Sequence, residues 1–271
     1  MDNLFLSPLE MSKAISDIGE KKARESLFEL FIFGVLAGIY ISFGASVATA
    51  VLSGGSLDAG VARFLSGSVF SVGLILVLIL GSELFTGNIL MTIGLIYQKY
   101  SFGKVLRNWL VVYLGNFLGS MMIAWLVFKS GLLGNAAQLT PIGNVATNIA
   151  DAKLQLTFTE ALSRGILCNM LVCLAVIMCI ASRTLSGKIL GIYFPIMTFV
   201  ASGYEHSVAN MYFLPAGLMA KGELISGFLG MFKNLIPVTI GNIIGGLLIV
   251  LLHPKVEERI ARLLIRRNHH H

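Results

Sequence analysis

Gly81-Ser82-Glu83-Leu84-Phe85-Thr86-Gly87-Asn88 interrupts one long apolar stretch, and Ala201-Ser202-Gly203-Tyr204-Glu205-His206-Ser207-Val208-Ala209-Asn210 interrupts another. Each interruption places a Glu five residues before an Asn, and each is flanked on both sides by runs of Leu, Ile, Val, Phe and Met. An apolar helix that stops, exposes backbone and restarts at membrane depth is tolerated only where the exposed groups line a cavity inside the protein. Two such breaks at corresponding places in two halves of a chain point to a solute path between them.

The composition fixes the class. Hydrophobic residues make up 56% of the 271 and charged residues 13%, with a mean hydropathy of +0.82, far more apolar than a soluble domain. The sequence predicts an all-α protein of the lipid bilayer with six transmembrane helices at 28–52, 62–97, 105–128, 157–181, 188–220 and 235–252. The second and fifth are long enough to be two half-helices and a loop. Asn108 to Gly119 in the third span matches Asn234 to Gly245 in the sixth, with the same separation between Asn108 and Asn116 as between Asn234 and Asn242. Spans 1–3 and 4–6 therefore read as copies. Three is odd, so the second copy enters the membrane from the opposite side and the 3+3 repeat is inverted. Gly115 and Gly119, with Gly241 and Gly245, have the small-residue spacing of close helix contacts and read as packing.

Lys and Arg concentrate on one side of this topology: Lys13, Lys21, Lys22, Arg24, Lys99, Lys104, Arg107, Arg183, Lys188 and the basic run after His253 all fall on the side of the N-terminus. The positive-inside rule puts both termini in the cytoplasm, and the expected location is the cell (inner) membrane. The pI near 9.3 follows from that distribution, so no nucleic-acid partner is expected. Residues 1–27 are polar and amphipathic rather than a cleavable leader. Pro8 to Leu27, with Met11, Ile15, Ile18 and Leu27 among charges, reads as a helix on the cytoplasmic surface. The channel domain is 28–252, 253–267 a basic cytoplasmic tail, and 268–271 a tag-like end. Cys168, Cys173 and Cys179 share one span and read as packing residues; no metal site and no cofactor are expected.

A half-helix starting at Thr86 or His206 would aim free N–H groups and the positive end of its dipole into the cavity, which favours an anion. Thr86 adds a hydroxyl and His206 an imidazole able to donate a hydrogen bond or a proton. An ionisable group at mid-membrane is a functional candidate by default. Glu83 and Glu205 read as break-stabilising, each accepting backbone N–H groups freed by the break. Gating or proton-relay carboxylates are the alternative, opposed by the cost of negative charge in an anion path.

Leu84-Phe85-Thr86, Ala201 to Met211 and Ile236 to Gly246 resemble the signatures of the formate/nitrite transporter family, over nearly the whole chain. The resemblance implies an aquaporin-like protomer in a homopentamer, one pore per protomer, passing small monovalent anions such as formate, nitrite or hydrosulfide. It likens Thr86 and His206 to the central pore pair, Asn169 and Asn210 to pore-facing amides, and Lys153 to a vestibule lysine. It groups Leu74, Leu84 and Phe199 in one apolar constriction and Phe70, Phe85 and Val172 in another. Sequence neighbours make Asp151 and Glu160 the acids nearest Lys153.

A bare anion in such a constriction faces a desolvation cost of tens of kcal/mol in the Born picture, so the substrate is expected to cross as its neutral acid. A water or glycerol channel of the same fold is the competing reading, but its two Asn-Pro-Ala boxes are absent: the breaks read Thr86-Gly87-Asn88 and Val208-Ala209-Asn210. An enzyme would need a nucleophile–base pair or metal ligands, and no such set stands out.

Overall fold

Several of the long helices start where the sequence supplies a side-chain cap. The computed structural model describes residues 4–55, 57–253 and 256. Ser7 with Glu10 opens α1 (Pro8–Arg24), and Ser26 with Glu29 opens α2 (Leu27–Leu52). Asp58 caps α3 (Ala59–Leu80) through the amides of Gly60 and Val61. The box of Thr157 with Glu160 opens α8 (Phe158–Ala181). In each box the hydroxyl takes the N3 amide while the Glu returns to the cap amide, so two donors that the helix cannot satisfy find partners.

Both breaks are observed, and both end the incoming helix on a left-handed glycine. After α3 comes Gly81 at φ 79°, followed by α4 (Phe85–Asn88), a 3₁₀ turn at Ile89–Met91 and α5 (Thr92–Ile96). After α9 (Leu185–Ala201) comes Gly203 at φ 75°, then α10 (Ser207–Lys221). A Cβ at either glycine would meet nothing within 4 Å, so the requirement is backbone conformation rather than space.

Among the described residues five helices are long and apolar enough to cross a membrane: α2, α3, α6 (Phe102–Lys129), α8 and α11 (Leu224–Leu251). The apolar helical stretches Phe85–Ile96 and Leu185–Ala201 are shorter. The chain is a multi-pass membrane protein. Gly115 and Gly119 of α6 lie against the α2 backbone at Phe31, Gly34 and Val35, while Gly241 and Gly245 of α11 lie against α8 at Leu162, Gly165 and Ile166. Added methyl groups would collide with carbonyl oxygens there, so these glycines set how closely the helices pack.

Two elements differ from expectation. Residues 129–156, left unassigned between the third and fourth spans, contain a short hairpin (β1 Gly134–Asn135, β2 Gln138–Leu139) and α7 (Pro141–Leu154), which is capped by Thr140 and packed against α10. The N-terminal helix ends at Arg24 and docks on the helix bundle by its small residues, burying Ser12, Ile15, Ser16, Gly19 and Ala23. Of the apolar residues expected to anchor it, Ile18 is exposed and Leu27 belongs to α2. Apart from His253 and Val256, the tail and tag-like end fall outside the described residues.

Candidate functional site

The freed backbone at each break is held by an asparagine from the neighbouring span. Asn116 Oδ1 accepts from the Phe85 amide at 3.0 Å, and its Nδ2 donates to the carbonyls of Gly34 (2.7 Å) and Glu83 (2.9 Å). Asn242 does the same for Ser207 (2.9 Å), Gly165 (2.8 Å) and Glu205 (3.0 Å). An amide can do this because it donates and accepts in one plane.

This corrects the reading of Glu83 and Glu205, whose carboxylates take no backbone amide among the hydrogen bonds the structure shows. Glu83 pairs with Lys22 at 2.8 Å and accepts from Asn88 Nδ2 at 2.6 Å; Asn88 Nδ2 also reaches Asn108 Oδ1 at 2.8 Å. Glu205 pairs with Lys153 at 2.8 Å and accepts from Asn210 Nδ2 at 2.6 Å, which also reaches Asn234 Oδ1 at 2.7 Å. Both carboxylates are buried, Glu83 at 5% and Glu205 at 4% exposure, which is tolerable only with a cation and donors in place. Lys153 is therefore an ion-paired residue on the last turn of α7, with its ammonium 5.3 Å from the Phe213 ring centroid. Its sequence neighbours are engaged elsewhere: Asp151 binds Lys221, and Glu160 caps Thr157.

Lys22, Asn88, Asn108, Asn116, Asn234 and Asn242 were absent from the sequence-based site. The signal existed for the asparagines, in their repeated spacing. Lys22 and Lys153 also share a register: 131 residues separate them, as they do Gly34 and Gly165. In that register α1 is the counterpart of α7.

Each break borders a cavity. The first, about 570 Å³, is lined by Lys21, Lys22, Glu25, Glu83, Leu84 and Asn88 among others. The second, about 250 Å³, is lined by Lys153, Glu205, His206, Asn210, Phe70 and Phe199 among others. His206 lines the second cavity and meets the buried Thr86, with Oγ1 and Nε2 2.8 Å apart. The half-helices begin one residue off the expected positions, at Phe85 and Ser207, so His206 is itself the N-cap of α10. Its Nδ1 accepts the Ala209 amide at 3.1 Å. An N–H donor at Nδ1 requires the lone pair there, so the neutral ring carries its proton on Nε2 and donates it to Thr86 Oγ1. The Thr86 hydroxyl proton is left for another acceptor. Protonating His206 at Nδ1 would cost the cap.

Asn169 is fully buried, its Nδ2 donating to Thr86 O at 3.2 Å and Asn242 O at 2.6 Å, while its Oδ1 has no partner; Asn210 Oδ1 is also buried without one. The apolar grouping differs from expectation. Phe199 packs edge-to-face on Phe70 with centroids 5.6 Å apart, although the two were assigned to different constrictions. Leu84 borders the first cavity. Phe85 packs against Trp109 and Tyr113, at 6.2 and 5.0 Å, and Leu74 and Val172 are buried.

The formate/nitrite transporter family matches residues 9–255. A probable formate transporter of Methanothermobacter thermautotrophicus is 41% identical over 92% of this chain and 96% of its own length. The formate channel FocA of Escherichia coli K12 is 36% identical over 100% of this chain and 99% of its length. Among solved structures, a channel described as an FNT family ion channel superposes with a TM-score of 0.81 at 30% identity, covering 90% of this chain and 96% of that one. A pentameric formate channel with formate bound superposes at 0.72 and 34% identity, covering 83% and 94%. The chain belongs to the formate/nitrite transporter family, whose members are channels and transporters.

Proposed function

We propose that this chain passes small monovalent weak acids, formate first among them, between the two cavities by way of the Thr86–His206 pair. Taking α3 with α4–α5, and α9 with α10, as one crossing each gives six crossings in an inverted 3+3 repeat. Both termini then lie in the cytoplasm of an inner-membrane protein, the Lys22 cavity opens to the cytoplasm and the Lys153 cavity to the outside. Five copies assemble in this reading, as in the solved pentameric formate channel, and each copy carries its own pore. Nitrite and hydrosulfide fit the same size and charge class.

The observation behind this reading is the buried contact of Thr86 with His206, each beside a helix start built by an interrupted span. Around it Leu74, Leu84, Phe70, Phe199, Phe85 and Val172 supply narrow apolar walls that offer an ion no compensation, so the permeating species is the neutral acid. Lys153 and the α10 N-terminus gather the anion outside. Because Nδ1 of His206 is occupied by the Ala209 amide, the ring orients substrate as an Nε2–H donor, and the permeating proton comes from the vestibules. Asn169 Oδ1 and Asn210 Oδ1 are acceptors for an acid O–H or for water.

Reconstituting the full-length protein and comparing formate, nitrite and hydrosulfide flux tests the reading. Formate flux is expected, with His206→Phe abolishing it in an intact oligomer. Wild-type flux in assembled His206→Phe protein would remove His206 from the path.

A further inference from the structure

The cytoplasmic cavity holds two carboxyl groups in opposite circumstances. Glu83 has both oxygens engaged, by Lys22 and Asn88. Glu25, at the junction of α1 and α2, lines the same cavity with its Oε2 buried and no hydrogen-bond partner. Among the described residues no cation is committed to it. Lys22 gives its ammonium to Glu83 and to Asn88 Oδ1 at 2.7 Å. Arg107 donates to the backbone carbonyls of Ala23 and Glu25, at 3.1 and 2.8 Å, which fixes the junction but not the carboxyl.

Burial raises the Glu25 pKa above the usual carboxylate range, the Glu83 charge raises it further, and Lys22 and Lys21 offset part of this. The groups facing it are Lys21 and Lys22 of α1, Glu29 of α2, Glu83 of the break and Arg107 of α6; Cys179 and Lys188 line the same cavity. A cavity-lining carboxyl whose pKa is raised and whose oxygen is unpartnered has the chemistry of a proton carrier. The second half of the repeat has no equivalent: in the register that pairs Lys22 with Lys153, Glu25 falls on Leu156.

We propose that Glu25 is the proton-exchange carboxyl of the cytoplasmic cavity, protonating weak-acid anions on their way out of the cell. This rests on the weak-acid pore reading above. The proton leaves the Glu25 carboxyl for an oxygen of the anion, giving the neutral acid and a Glu25 carboxylate, which then takes a proton from a buffer acid of the cytoplasm and leaves that acid's conjugate base. The reverse step receives the proton of an incoming acid. A carrier matters most when free protons are scarce, because capture from neutral solution is slow whereas a carboxyl on the cavity wall holds its proton at the point of use.

The test is formate efflux from preloaded cells expressing the full-length chain, with internal pH clamped by an ionophore. Glu25→Gln is expected to lower efflux about tenfold near neutral internal pH, with the deficit closing as internal pH falls to about 5 and hydronium protonates formate directly. Glu25→Asp should keep the wild-type profile. A Glu25→Gln deficit of the same factor at every internal pH would mean a structural role, and no deficit would mean no role; either overturns this proposal alone. Absence of wild-type formate efflux would overturn the pore reading and this proposal with it.

Discussion

The two breaks share a frame and differ in what it holds. At each, an asparagine from the next span ties down the freed backbone, a buried glutamate pairs with a lysine, and two further asparagines complete the cluster. Yet one half-helix presents Thr86 and the other His206. One lysine comes from the N-terminal helix and the other from α7. Lys22 bonds Asn88 Oδ1 as well as Glu83, whereas Asn210 Oδ1 is left without a partner. The lesson is a division of labour. What recurs in both halves is architecture, and the proposed substrate chemistry falls on the unmatched groups, His206, Thr86, Asn210 Oδ1 and Glu25.

The heaviest blow to the shared frame is removal of its asparagines. Asn116→Leu and Asn242→Leu each leave the amide and carbonyl of the break buried and unpaired, at about 1–3 kcal/mol per group, and remove a second bond from a helical carbonyl. Both variants are expected to fail to assemble, judged by gel filtration in detergent. A stable Asn242→Leu oligomer beside an unstable Asn116→Leu would break the equivalence of the two halves.

Next come the ion pairs. Lys153→Ala strands a buried Glu205, and losing one partner of a buried pair costs about 3–5 kcal/mol. Glu205→Gln in the same chain should recover most of the lost thermal stability. It should not recover affinity: the double variant is expected to keep a raised apparent KM for anion uptake from outside, with the difference from wild type shrinking as salt screens the field. Lys22→Ala should cost less, since its side chain is 20% exposed against 13% for Lys153. Equal losses would argue against treating α1 as the looser of the two counterparts.

How α1 is held sets the smallest expected effect. His253, 8% exposed, meets Ser12 of α1 through Nδ1 at 3.0 Å, and burial lowers its pKa below the ordinary imidazole value. A group that binds its proton less readily when folded destabilises the docked state as pH falls through its unfolded value, near 6.5, and has no effect well above it. After correction for intrinsic rates, amide exchange in α1 should speed up as pH drops from about 7.5 to about 5.5 while α7 does not respond, and His253→Gln should remove the dependence.

Much of this frame was legible in the chain. The Glu-to-Asn pairs in the apolar runs mark where α3 and α9 end, and the matched asparagine spacing marks the two equivalent hydrogen-bonded frames. The partners were harder to see, because an ion pair between Lys22 and Glu83 or Lys153 and Glu205 spans helices far apart in sequence. Local propensity says nothing about which carboxylate a lysine will find, and it favoured Asp151 and Glu160 for Lys153. Helix α7 was missed because its mild amphipathicity resembles a polar loop beside true spans. The role of Asn116 and Asn242 escaped because an amide in an apolar helix reads equally as a helix–helix contact. The unpartnered oxygen of Glu25 depends on where Lys22 and Arg107 spend their donors, which only the tertiary structure reveals.

The central claim is that a weak acid passes Thr86 and His206 in neutral form. It is tested most directly by formate uptake into proteoliposomes carrying an internal pH dye. The account requires uptake that rises as external pH falls, an internal acidification matching the formate taken up, and loss of both in His206→Phe protein that still assembles. A pH-independent electrogenic current carrying formate without internal acidification would contradict it.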